Sequence, residues 1–162
     1  MNNKVELISP KYLTLCKEAK KRDVDSEGIA LLGQFLTLSN GVTNTCANNL
    51  NQFELLEGRF VSMLMINDKE SAAPHEISSL TGLTRASITS TIDSLEKRGF
   101  AVREASKTDR RSLTVKLTAE GKTTLDQAVA SQLDWLASLT SSLDEDEKAA
   151  FKSILTKINN SL

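Results

Sequence analysis

A chain of 162 residues, 40% hydrophobic and 25% charged with a net charge of -1, has enough apolar material for one packed domain and too much for global disorder. It holds no run of about 18 apolar residues that could span a membrane. Its start, MNNKVELISPKY, lacks a secretory signal's basic-then-apolar order, so a soluble cytoplasmic protein is expected. Two cysteines (Cys16 and Cys46), a single histidine (His75) and no CxxC pair argue against a disulfide framework and a structural zinc site, and no cofactor is expected.

Helices should dominate. Pro10 opens a short amphipathic segment carrying Tyr12, Leu13, Leu15, Cys16 and Ala19 among lysines, which gives way to a charged loop over residues 20–27. Over residues 29–50, apolar side chains recur every three or four positions (Ile29, Leu32, Phe35 or Leu36, Val42, Cys46), predicting a long helix despite Gly33 and Gly41. An internal glycine costs about 1 kcal/mol relative to alanine, so close approach of another helix is the expected reason for keeping both. Residues 55–66 predict the next helix, with Leu56, Phe60, Met63 and Leu64 on one side. Pro74 suits the first turn of a short helix through Leu80, broken by Gly82.

Thr84 is placed to cap the following helix. Ile88, Ile92 and Leu95 share its inward face by the i, i+4, i+7 rule, leaving Ala86, Ser90, Asp93 and Lys97 outside, flanked by Ser87, Thr89 and Ser94. Small hydroxylic residues at an exposed helix start allow close approach to another surface, as entry into a DNA major groove about 12 Å wide requires. Gly99 ends the helix. Phe100 and Val102 lead into a first strand, and Leu113, Val115 and Leu117 alternate with polar residues in a second, the period-two mark of a half-buried ribbon. Thr118 then caps a helix from Ala119 to about Thr140, predicted to bury Leu125, Val129, Leu133 and Leu136. Asp144 and Glu147 form a cap-like pair before a last helix striped by Phe151, Ile154, Leu155, Ile158 and Leu162. The fold class is therefore mainly α with a small β-wing: a winged helix-turn-helix domain plus a helical dimerisation region.

Charge follows the same division. Residues 75–116 carry eight Lys/Arg against five Asp/Glu (+3), residues 117–162 four against seven (-3), and residues 1–74 eight against nine (-1). Positive charge is concentrated in the ribbon and the helix before it, a modest footprint that a symmetric dimer would present twice.

The element order, together with LEKRGF, TDRRS and VKLTAEG, resembles the MarR family of bacterial transcription regulators over residues 29–162. The most specific pieces are Asp109, Arg110 and Arg111 at the ribbon tip, followed by Leu117, Thr118 and Gly121. The resemblance implies a homodimer held by the long first helix and the two C-terminal helices, most often a repressor, on a near-palindromic operator of double-stranded DNA with half-sites about 10 bp apart. It divides the chain into an N-terminal helix and loop (1–27), a dimerisation region (28–50 and 119–162) and a DNA-binding domain (51–118). It implies that Arg111 enters the minor groove, with Asp109 holding the wing and Arg110 assisting. The chain departs from the family in having Ser90 after Thr89 where many members carry arginine, Arg85 instead at the helix start, Ser106-Lys107-Thr108 in place of the wing proline, and a longer N-terminus.

Candidate DNA-contacting residues are thus Arg85, Ser87, Thr89, Ser90, Lys107, Asp109, Arg110 and Arg111, while Lys97, Arg98 and Arg103 are phosphate clamps or ordinary surface charge. Asn40, Asn44 and Asn48 recur every four residues, as either a solvated face or one wall of a ligand cleft. The family accepts small aromatic acids and phenols in such a cleft, and by likeness Phe60 and Met63, with Met65, would add apolar walls. Two other functions are compatible with the chain: a redox-sensing regulator using Cys16, and a winged-helix protein-interaction scaffold that binds no DNA. No nucleophile elbow, phosphate-binding loop or metal triad appears, so an enzyme is not expected.

Overall fold

The computed structural model describes residues 7–105 and 113–162. Among them the chain forms α1 (Pro10–Lys21), α2 (Ser26–Asn51), α3 (Glu57–Asp68), α4 (Pro74–Thr81), α5 (Arg85–Lys97), β1 (Ala101–Ala105), β2 (Leu113–Leu117), α6 (Ala119–Thr140) and α7 (Glu145–Asn159). Every predicted element is present, and the boundaries follow caps more closely than apolar stripes. The Asp25 carboxylate accepts from the amides of Glu27 and Gly28 at 3.1 and 2.9 Å, so α2 begins before the first periodic apolar residue. Asp144 and Glu147 form a reciprocal capping box at the start of α7.

One core holds the middle of the chain together. Met63 and Ile66 of α3, Ile77 of α4, Ile88, Ile92 and Leu95 of α5, and Val115 of β2 are fully buried. Each large aliphatic side chain contributes about 1.5–3 kcal/mol on burial. Leu50 from the end of α2 and Leu125 and Ala128 from α6 enter the same cluster, so the long helices are rooted in this domain at one end only. β1 and β2 pair antiparallel, with Ala101 opposite Leu117 and Arg103 opposite Val115. Ala72 adds a two-bond bridge to Val115, its amide donating at 3.0 Å and its carbonyl accepting at 2.8 Å. Nothing in the sequence signalled that third edge.

Two glycines explain close approaches. A Cβ on Gly33 would stand 2.6 Å from Tyr12 Cβ, and one on Gly121 would stand 2.0 Å from the carbonyl oxygen of Phe100. Gly33 lets α1 lie on α2. Gly121 lets α6 start directly against the entry to β1, where Thr118 Oγ1 donates to the Gly99 carbonyl at 2.6 Å and accepts from the Gly121 amide at 3.0 Å. The Leu-Thr-x-x-Gly sequence is therefore the joint between α6 and the turn that ends α5.

The expected burial of the C-terminal stripes needs correcting. Leu125 is buried and Val129 half-buried, but Leu133 and Leu136 of α6 are exposed, as are Phe151, Ile154 and Ile158 of α7. Helical periodicity reports that a face is apolar, not which molecule covers it. In β1 the outward residue is Val102, with Ala101 turned inward.

Candidate nucleic-acid interface

The outward face of α5 is built from its cap upward. Thr84 Oγ1 accepts from the Ser87 amide at 3.2 Å and lies 2.9 Å from Ser87 Oγ, which starts the helix at Arg85. Thr89 Oγ1 donates back to the Arg85 carbonyl at 3.0 Å. Arg85, Ala86, Ser87, Thr89 and Ser90 are all exposed, while Ile88 and Ile92 on the opposite face are fully buried. The four predicted helix residues thus share one solvent-facing surface, free of large side chains apart from Arg85. Lys107, Asp109, Arg110 and Arg111 lie outside the described residues.

Two of the arginines that the sequence left as either phosphate clamps or ordinary surface charge are held in ion pairs within the domain. Arg103 on β1 pairs with Asp93 at 2.6 Å and with Glu96, both on α5, and its amide donates to Glu96 Oε1 at 3.0 Å. Its side chain is 28% exposed, so these charge-assisted bonds are partly shielded from water. This clasp ties the base of the wing to the recognition helix and neutralises the acidic groups on that helix. Arg98 pairs with Glu54 in the turn before α3, and Arg59 Nη1 donates to the Glu54 carbonyl at 3.1 Å. Burial, and then the neighbouring Arg98, pull the Arg59 guanidinium below its ordinary range; arginine nonetheless stays charged. The i+7 and i+10 spacings from Glu96 and Asp93 to Arg103 span a helix end and a strand, so no single periodicity could have exposed the clasp.

The residues considered for a ligand cleft are dispersed. Asn40 and Asn44 are exposed on α2, Phe60 is half-buried against the core, and Met63 is fully buried within it. None of the four lines the two apolar hollows described along α2. Cys16 and Cys46 are free and half-buried. Burial, with the Glu57 carboxylate adding to it, pushes the Cys46 thiol up, the opposite of what thiolate reactivity needs. Among the described residues no cluster of His, Cys, Asp and Glu is arranged to hold a metal ion, and no helix is long and apolar enough to cross a membrane.

Comparison with known proteins agrees with this geometry. Residues 52–112 match the model described as the MarR family. The chain is 24% identical to the transcriptional repressor YetL of Bacillus subtilis over 90% of its length and 89% of that protein's. It is 34% identical to the transcriptional repressor MprA of Escherichia coli K12, over 63% of this chain and 59% of the relative. Its fold superposes with a TM-score of 0.60 on a mutant MarR from E. coli solved in complex with operator DNA, at 24% identity, covering 75% of this chain and 90% of that one. A helix with a small, exposed outer face on an apolar core, a two-stranded wing clasped to it, long flanking helices, and agreement with these relatives lead to one conclusion: residues 52–112 carry the winged helix-turn-helix of the MarR family of transcriptional regulators.

Proposed function

We propose that the protein is a homodimeric, sequence-specific DNA-binding repressor that acts in the cytoplasm on a near-palindromic operator. The observation that carries this reading is the exposed start of α5, where Arg85, Ser87, Thr89 and Ser90 surround Ala86 above a fully buried Ile88. Such a surface is narrow enough for a major groove, and its hydroxyls and single arginine donate and accept at base edges and phosphates. Lys107, Arg110 and Arg111 supply the minor-groove and backbone contacts of the wing, with Asp109 holding its tip. Two-fold symmetry sets the half-sites about one helical turn apart. The solution of E. coli MarR with operator DNA and the repressor names of the relatives support it.

A small aromatic or phenolic ligand modulates the repressor by binding preferentially to a dimer whose recognition helices are wrongly spaced for adjacent grooves. Asn40, Asn44, Phe60 and Met63 are the candidate ligand residues. Met63 is fully buried, so it shapes such a cleft through the packing beneath it.

Selection of bound fragments from a genomic DNA pool, followed by titration across salt, tests the whole reading. Replacing Arg110 and Arg111 by Ala should lower affinity and reduce the salt slope by about one unit per lost phosphate contact. The same titration with salicylate should weaken operator binding. A chain that selects no fragment is a protein-interaction scaffold.

A further inference from the structure

Where the two long helices leave the reading domain, the last buried residue of α6 is polar. Leu125 and Ala128 of α6 enter the common core, Gln132 one turn further on is only 6% exposed, and Leu133 and Leu136 beyond it stand open. Leu50 roots α2 in the same core, and one turn outward from it the Cys46 carbonyl accepts from Gln132 Nε2 at 2.8 Å. Gln52 Nε2 adds a second bridge to Ser131 Oγ at 3.3 Å, on the exposed rim of the same joint.

Stability alone does not account for a glutamine at this position. A carbonyl inside α2 already accepts from its own helix, so Gln132 takes up a second lone pair and rescues no orphan. Gln132 Oε1 is buried with no hydrogen-bond partner among the described residues, and an unpaired buried acceptor is destabilising. Methionine, of similar length, would fill the space without that penalty. What glutamine supplies and methionine cannot is direction: apolar helix faces slide and roll upon each other, whereas a buried polar contact fixes one register.

We propose that Gln132 is a spacing-determining residue, a buried pin that fixes the tilt of α2 against α6 where both leave the domain and thereby selects the distance between operator half-sites. The proposal rests on the homodimeric DNA-binding reading above. The length of α2 makes the joint consequential. From Cys46 back to Ser26 the helix runs about 30 Å. A tilt of about 10° at the pin then displaces one end against the other by about 5 Å, more than the rise of one base pair, about 3.4 Å. With the far parts of the long helices held against the second copy, that displacement falls on the two α5 helices.

Fluorescence anisotropy tests this on a DNA fragment selected by the unmutated chain and on derivatives with one base pair inserted or deleted between its half-sites. The unmutated chain should lose about 100-fold in affinity on either derivative, and Gln132→Met and Gln132→Leu about tenfold or less. The thermal midpoint of both variants should stay unchanged or rise. Gln52→Ala, which removes only the exposed bridge, should keep the full spacing penalty. An undiminished penalty in both Gln132 variants overturns the pin. So does a lowered midpoint with binding weakened by one factor at every spacing, the mark of a purely structural role, and so does equal relaxation by Gln52→Ala. An unmutated chain that selects no fragment overturns the DNA-binding reading, and the pin with it.

Discussion

The DNA-reading domain and the helical region around it use the same kinds of apolar residue in opposite ways. In the domain, Ile66, Ile77, Ile88, Ile92 and Leu95 close upon one another within a single chain. Along the outer part of α2, the far half of α6 and α7, leucines, isoleucines and Phe151 stand open to solvent. The first pattern stabilises a fold, whereas the second adds to stability only in an association, because an apolar face contributes free energy only once something covers it. In the proposed homodimer this division would let the readers stay folded while the helices set the distance between them.

Substitution on each side separates the two uses most sharply. Ile92→Ala in the closed core should cost about 2–5 kcal/mol, while the denaturation midpoint keeps its dependence on protein concentration. Ile154→Asp should leave the reading domain folded but make α7 unable to join another apolar face, so that melting loses its concentration dependence and operator binding falls with dimerisation. If Ile154→Asp instead unfolds the domain at every concentration, α7 belongs to the chain's own core.

A smaller effect is expected at the clasp. Arg103→Ala leaves Asp93 and Glu96 without their shared cation, and the half-exposed pairs should forfeit about 1 kcal/mol of stability. DNA affinity should fall further than stability, because two carboxylates on the recognition helix would then face phosphates. Arg103→Lys, which keeps the charge but not the forked geometry, should restore only part of it. Equal operator affinity for Arg103→Ala and the unmutated chain would remove the clasp from any role in reading.

The smallest lies at Glu76, whose carboxylate accepts from the Ala73 amide at 2.7 Å at the start of α4. That bond, aided by Lys69, holds its carboxyl below the usual carboxylate range. A depressed carboxyl stabilises the folded state above its ordinary titration range, near pH 4, and loses that contribution as the pH falls through the folded value. With its side chain 41% exposed and screened by solvent, the effect should stay below about 1 kcal/mol. Chemical denaturation between neutral and acidic pH should show a slightly shallower loss for Glu76→Gln, with no change in self-association. A change in self-association would blur the boundary between the two regions.

Much of this architecture was legible in the chain because short-range physics writes it there. Pro10, Pro74, Gly82, Gly99, Thr84, Thr118 and the Asp144–Glu147 box mark helix ends through donors that must be satisfied or backbone angles that must be reached. The i, i+4, i+7 pattern of Ile88, Ile92 and Leu95 placed the recognition helix's inner face, and hence the outer one with Arg85, Ser87, Thr89 and Ser90. The sequence by itself therefore determined which elements form, in what order, and which side of each is apolar.

Only the tertiary structure decided where those faces go. It placed Arg103, which the sequence left as phosphate clamp or surface charge, in a tie between β1 and α5, since an ion pair depends on how a strand returns past a helix. It left Leu133, Leu136 and the α7 stripe uncovered, seated Leu7 and α1 against α2 through Gly33 and Thr37, and buried Met63. Periodicity is a local property of one element, whereas burial and ion pairing belong to two elements at once, and no single segment of the sequence contains both.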